Sequence, residues 1–339
     1  MIQYILRRFL LMLPTLLGIT LVTFVIINLA PGGPIEQKLQ QIQEAQASGG
    51  MSDMGTAQVT EEVIEDLRKQ YGFDKPLSTR YFIWIEKLWN MDFGQSFTYE
   101  EPAYDVIVSK FPVSLQFGIA SLILVYLICI PLGVYKAVND GSSFDVTSSF
   151  LLFVMYSIVP FMFGILLITF FSSDSFLDLF PIGGLVSDNY EDLSFWEQIK
   201  DRVHHFVLPL ASYMIGSFTT LTFLMKNSLL EEVKKDYVRT AKAKGLDKSK
   251  VYLKHALRNS LIPVVTGLGG FLSIFFAGSL LIETIFQLDG IGLLGYNSIL
   301  ARDYNVIMGL VFLQAIAMLV GNLISDLAYV VVDPRINFK

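Results

Sequence analysis

Cysteine occurs once in the 339 residues, at Cys129 inside an apolar run. That excludes an intrachain disulfide and a cysteine-built metal site, and it leaves the redox compartment unmarked. Histidine occurs three times, as His204, His205 and His255, too few and too scattered for a zinc site at the usual spacing. No Gly-Lys dipeptide is present, so there is no Walker A loop and no ATP site of that kind. Charge is also sparse. Charged residues make up 17% of the chain, against about 25% in an average soluble protein. The net charge of −6 is a poor guide, because acids and bases are segregated along the chain.

What fills the space is apolar. Hydrophobic residues make up 53% and the mean hydropathy is +0.53, values of an integral membrane protein. Six uncharged runs predict six spans: Phe9 to Ala30, Phe111 to Tyr135, Val146 to Ser173, Phe206 to Met225, Asn259 to Ile282, and Tyr304 to Ser325. In the last, Asp326 interrupts the final turns before Val332. The first run follows Arg7 and Arg8 and ends in Pro-Gly-Gly. A signal peptide has an apolar region of about 7–15 residues; this run is longer and reads as an uncleaved helix. At about 1.5 Å per residue it crosses a core of about 30 Å. The expected fold class is all-α and polytopic.

Residues 31–110 are polar, with 13 acids and seven bases. Gln37 to Gln58 is rich in Gln, Gly and Ser. TEEVIEDLRKQYGF then places acids early and bases late, as helix ends prefer, and LSTRYFIWIEKLWNMDFG follows Pro76. A small, mainly helical extracytoplasmic domain is expected here. The loops alternate sides: one side holds 15 bases and seven acids, the other ten bases and 23 acids. The positive-inside rule makes the basic side cytoplasmic, with both termini on it. The expected division is a first helix at 1–30, an outer region at 31–110, a five-helix core at 111–332 and a tail at 333–339.

Ten of the 25 Lys and Arg residues fall between Lys226 and Arg258, against four acids. The pattern predicts a helix continuing the fourth span through SLLEEVKKDYV. A short TAKAK helix follows, stopped by Gly245. Asp247 then caps the next helix, KSKVYLKHALRN. Two short helices with Ala241 and Ala243 near their turn form a knob that a protein groove can receive. On charge alone the segment reads as a solvated basic loop that fixes topology or binds anionic lipid; the arrangement of Ala, Gly, Leu and Pro around the charges argues against that reading.

The residues Tyr237, Val238, Arg239, Thr240, Ala241, Lys242, Ala243, Lys244, Gly245 and Leu246 carry a resemblance. So do His255, Ala256, Leu257, Arg258 and Asn259, then Ile262 and Pro263. Together they look like the "EAA" cytoplasmic loop of ATP-binding-cassette importer permeases in its oligopeptide/dipeptide form. Gly245 matches the motif glycine, Ala241 its second alanine and Leu257 its leucine. Arg239 stands where the general motif has Glu, Thr240 replaces the first alanine, His255 the isoleucine and Arg258 the proline. These departures are those of the peptide branch, and they remove any role built on the glutamate.

The likeness covers nearly the whole chain: Tyr4 to Arg8, Leu29 to Gly32, Tyr71 to Pro76, Asp92 to Ser96, Gly278 to Glu283, Gly290 to Gly292 and Asp333 to Arg335. With Phe180 to Leu185 and Arg302 to Tyr304, it is most similar to the Yej-type permease of peptide and microcin C uptake. The resemblance implies a six-helix type I importer permease in a bacterial inner membrane. It implies no cofactor on this chain, and ATP with Mg on separate ATPase subunits. It further implies a second homologous permease, an external peptide-binding protein, peptide substrate and surrounding lipid, with no nucleic-acid partner. The chain is then no enzyme by itself.

Glu283, near membrane depth, is a functional candidate. With Asp289 it would line the outer mouth of the path and meet a peptide's amino terminus; alternatively it caps local backbone or pairs with Arg302. Asp326 is expected to pair with Arg335 or another base, and His204 and His205 to be interfacial. Two rival readings are a secondary transporter and a membrane scaffold with a lipid-binding loop. The first needs coupling carboxylates near the midplane, and none of the six runs has one in its centre.

Overall fold

The computed structural model describes residues 2–29, 33, 65, 73–172, 176–247, 250–267 and 278–332. Among these the regular elements are helical, apart from one isolated bridge between Gln95 and Pro102. In chain order they are α1 (Ile2–Leu29), α2 (Leu77–Leu88), α3 (Ala103–Val138), α4 (Ser143–Ser157), α5 (Pro160–Phe171), α6 (Phe195–Val233) and α7 (Asp236–Ala243). Then come a π-helical turn (Val251–Ala256), α8 (Leu257–Thr266), α9 (Leu280–Ile285), α10 (Ile291–Leu300) and α11 (Tyr304–Val332).

Among the described residues four helical stretches are long and apolar enough to cross a membrane: Leu6–Leu29, Ala103–Val138, Phe195–Val233 and Tyr304–Leu327. The third predicted span, Val146 to Ser173, is two helices. The structure bends it by 99° between α4 and α5, and counted as one span the pair brings the total to five. The cause is Pro160. Proline pushes the preceding residue out of the helical region, and Val159 lies at φ −65°, ψ 136°. Pro160 then opens α5, where its missing N–H costs nothing. The predicted fifth span is described on its flanks, as α8 and α9; residues 268–277 lie outside the described residues. So do the TEEVIEDLRKQYGF helix apart from Glu65 and Phe73, the Gln37 to Gln58 stretch and the 333–339 tail.

The chain divides into two compact units. One comprises Met1–Arg8, Phe111–Leu293 and Ala317–Lys339. Its helix α6 packs on α4, α5 and α8. One apolar cluster gathers Cys129, Val134 and Ala137 of α3, Met225 and Leu229 of α6, Val238 and Ala241 of α7, and Val251 and Ala256 of the π turn. Ser194 and Glu197 form a reciprocal capping box that starts α6, with Ser194 N–H donating to Glu197 Oε2 at 3.0 Å. Asp326 pairs with Arg8 at 2.6 Å, so the base it was expected to find comes from the start of the chain.

The other unit comprises Phe9–Lys110 and Leu294–Ile316. Phe24, Trp84 and Met308 form its centre. Helix α2 is the one predicted after Pro76. Its Tyr81 hydroxyl lies 3.0 Å from Thr20 Oγ1 of α1. Asp303 is fully buried and caps α11 through Val306 N–H at 3.3 Å. Its carboxylate also accepts from Ser96 Oγ at 2.5 Å.

Candidate functional site

The segment from Lys226 to Arg258 folds as helix, tight turn, helix. Its entry differs from the expectation: α6 stops at Val233 rather than running through Val238. The Lys234 and Lys235 N–H groups bond back three residues, to Glu231 and Glu232, which tightens and ends the helix. Asp236 then sits in the first turn of α7, where a negative charge meets the positive end of the helix dipole.

Helix α7 ends where the sequence indicated. Gly245 has φ +79°, and Leu246 N–H reaches back to Ala241 O at 3.4 Å. That six-to-one bond over a left-handed residue is a Schellman ending, open to glycine because it carries no Cβ. After Leu246 the chain turns at Asp247, whose carbonyl accepts from Val251 N–H at 3.0 Å. The predicted second helix opens as the π turn and becomes α8.

One face of this knob is buried. Val238, Val251 and Ala256 are each 0% exposed, and Ala241 and Tyr252 are buried beside them. Each buried valine contributes about 1.5–3 kcal/mol to seating the two helices. The other face is open: Tyr237, Arg239, Thr240, Ala243, Lys244, Gly245, Leu246 and Arg258 are exposed, while Leu257 and Asn259 are half-buried. Lys242 lies on α7 and His255 on the π turn. The two helices are also tied by polar contacts. Tyr237 donates to Glu232 Oε2 at 2.6 Å and accepts from Asn259 Nδ2 at 3.1 Å, and Lys235 pairs with Glu232. The structure thus brings Tyr237 and Asn259 together and leaves Arg239, Thr240 and the Ala243 to Leu246 run as an outward tip. Arg239 makes one ion pair, to Asp236 at 3.5 Å.

Glu283 is fully buried at the start of α9. Its carboxylate accepts from Ser114 Oγ at 2.7 Å, Tyr213 OH at 3.3 Å, Ser279 N–H at 3.3 Å and Leu293 N–H at 2.8 Å. Leu293 is in the first turn of α10, so Glu283 supplies that helix with an acceptor from ten residues upstream. Ser114 Oγ accepts in turn from Ile291 N–H at 2.8 Å. The fit around the carboxylate requires glycine: a Cβ at Gly290 would lie 2.5 Å from both Glu283 Cδ and Ser114 Oγ. Of the alternatives open for Glu283, local backbone capping is the arrangement found. Asp289 is exposed on the same turn. His205 is buried with Nδ1 3.0 Å from Asp201 O, while exposed His204 packs on the Phe180 ring at 4.8 Å.

Sequence reasoning passed over one group. Lys136, Asp145 and Lys226 meet in the structure as buried, paired charges. Their signal was positional: each flanks an uncharged run, with opposite signs at run ends assigned to one side of the membrane.

Known proteins resemble this chain over its full length. It is 46% identical over 360 residues to the "Peptidoglycan transport system permease protein YejB" of Agrobacterium fabrum, covering 99% of this chain and 98% of that protein. It is 41% identical to the "Inner membrane ABC transporter permease protein YejB" of Escherichia coli O157:H7, with 99% of both chains covered. The "Oligopeptide transport system permease protein AppB" of Bacillus subtilis is 35% identical, with both chains covered completely. The family model described as "Binding-protein-dependent transport system inner membrane component" matches residues 129–338, a range that holds the basic segment and Glu283. The chain belongs to that family of inner-membrane transport components.

Proposed function

We propose that the chain is the permease subunit of an ATP-driven importer of peptides, including microcin C-like peptides. The observation that carries this reading is its full-length likeness to permeases named for oligopeptide and dipeptide transport. The chain is a multi-pass transport component of the inner membrane and not an enzyme by itself. Six spans cross the membrane, the first at 1–30 and five in the core at 111–332, with both termini cytoplasmic and residues 31–110 outside.

In this reading the open tip of Arg239, Thr240 and the Ala243 to Leu246 run seats in a groove on a separate ATPase subunit, which holds the ATP and Mg. Closure of two such ATPases moves α7 and the π turn that leads into α8 as one body, because Val238 and Ala241 pack with Val251 and Ala256. A second homologous permease completes the path, and an external binding protein delivers peptide. Glu283 acts by holding the turn between α9 and α10, and exposed Asp289 on that turn meets the peptide's amino terminus.

Gentle detergent extraction followed by co-purification tests the reading. An associated ATPase and a second permease are expected; a chain that stays alone, with no peptide uptake in cells, contradicts it. A narrower reading is that the substrate is a cell-wall peptide, favoured by the name of the Agrobacterium relative. Competition between muropeptides and ordinary peptides for uptake separates the two.

A further inference from the structure

Lys136, Asp145 and Lys226 form a buried charge cluster at the root of the basic segment. Lys136, in the last turn of α3, has no solvent exposure. Its ammonium donates to Asp145 O at 2.9 Å, Ser148 Oγ at 2.7 Å and Ser149 Oγ at 2.8 Å, and it lies 3.1 Å from Asp145 Oδ1. Asp145, in the first turn of α4, is 5% exposed. Its Oδ2 accepts from Lys226 Nζ at 2.7 Å and from Gly141 N–H at 3.1 Å. Lys226, on α6, also pairs with Asp140 of the α3–α4 turn at 2.8 Å. One carboxylate therefore joins the end of α3, the start of α4 and the part of α6 from which the basic segment emerges.

Stability alone does not account for such a cluster. Burying charge carries a desolvation penalty that apolar residues of similar volume avoid. Two of these elements, α3 and α6, already share an apolar cluster in which Val134 and Ala137 of α3 join Met225 and Leu229 of α6 and Val238 of α7. Apolar burial is non-directional and allows sliding. Charge-assisted hydrogen bonds are short and directional, and they hold one register.

We propose that Lys226, Asp145 and Lys136 are positioning residues that pin α6 to the α3–α4 turn. A displacement of α7 is then passed to α3, α4 and α6 together, rather than to α6 alone. The inference rests on the docking reading of the Lys226 to Arg258 segment. It assigns the coupling to a set of side chains outside the docking tip, on the far side of the joint.

The test uses the full complex in proteoliposomes, with peptide uptake and ATP hydrolysis measured on the same preparation. Lys226→Met keeps the length and apolar stem of the side chain and removes its charge. The expected result is an assembled complex that still hydrolyses ATP but moves less peptide per ATP, by about fivefold or more, the range of a site-to-site coupling. Lys226→Arg restores the ratio. An unchanged ratio in Lys226→Met overturns the proposal, as does a loss of uptake that only tracks loss of assembled complex. Should Lys226→Met fail to accumulate, Asp145→Asn decides in its place: it keeps the size of the side chain and removes the charge that both lysines share, and a lowered ratio supports the joint while an unchanged one overturns it. A wild-type chain that carries no ATPase contradicts the docking reading instead, so the two failures are distinguishable.

Discussion

The N–H of Leu246 donates to the carbonyl of Ala241 at 3.4 Å, across a Gly245 held at φ +79°. A Cβ at Gly245 would meet no atom within 4 Å. Any effect of substitution there is therefore conformational and not a clash. Left-handed backbone costs a non-glycine residue about 1–2 kcal/mol, and a β-branched residue tolerates it worst. Gly245→Val is expected to insert normally but to lose its ATPase on gentle extraction, with Gly245→Ala milder. Normal peptide uptake in Gly245→Val contradicts the role given to this turn.

Tyr237→Phe removes one hydroxyl and two hydrogen bonds, to Glu232 and Asn259. Each exposed bond contributes about 0.5–1.5 kcal/mol. The expected outcome is faster amide exchange across Asp236–Ala243 with no change in the exchange of α6. Identical exchange in wild type and variant would show that apolar packing alone seats α7.

Glu283→Gln replaces one acceptor oxygen by an N–H₂ group. With Oε1 kept toward Ser114 and Tyr213, the amide faces the Leu293 N–H, donor against donor. A buried unsatisfied donor costs about 1–3 kcal/mol. Weaker uptake with intact ATPase association is expected. Full transport in this variant would remove Glu283 from the account of the path.

Gly290→Ala is expected to reproduce the Glu283→Gln phenotype, because its methyl group would overlap Glu283 Cδ and Ser114 Oγ at 2.5 Å. Gly18→Ala, with nothing within 4 Å, serves as the control. The measurement is the melting temperature of the purified chain, lowered in Gly290→Ala and not in Gly18→Ala. Equal melting temperatures contradict the close fit.

Much of this was legible in order along the chain. Uncharged runs located the long helices, and Gly245 marked the end of α7 because its signal is local. The bend at Pro160 carried a local signal too, but proline in a membrane helix is also compatible with a continuous span. The stop at Val233 was hidden, since Lys234 and Lys235 have ordinary helix propensity and the break lies in hydrogen bonds three residues back. Glu283 was visible as a charge, but its four donors come from positions as far away as Ser114 and Tyr213. Lys136, Asp145 and Lys226 each flank an uncharged run, and nothing in the linear pattern pairs them. Only the packing of α3, α4 and α6 brings Lys226 to Asp145, 81 residues apart in sequence. Long-range pairing is what the linear pattern does not encode.

The central claim is that the tip at Gly245 is received by a partner ATPase. A photo-reactive amino acid at Leu246, which is 39% exposed, tests it in cells that carry the whole transport system. The expected result is a covalent adduct with an ATP-binding subunit, strengthened or shifted by ATP. Adducts with lipid alone, or none in a chain that is correctly inserted, would contradict it and return the segment to a basic loop that only fixes topology.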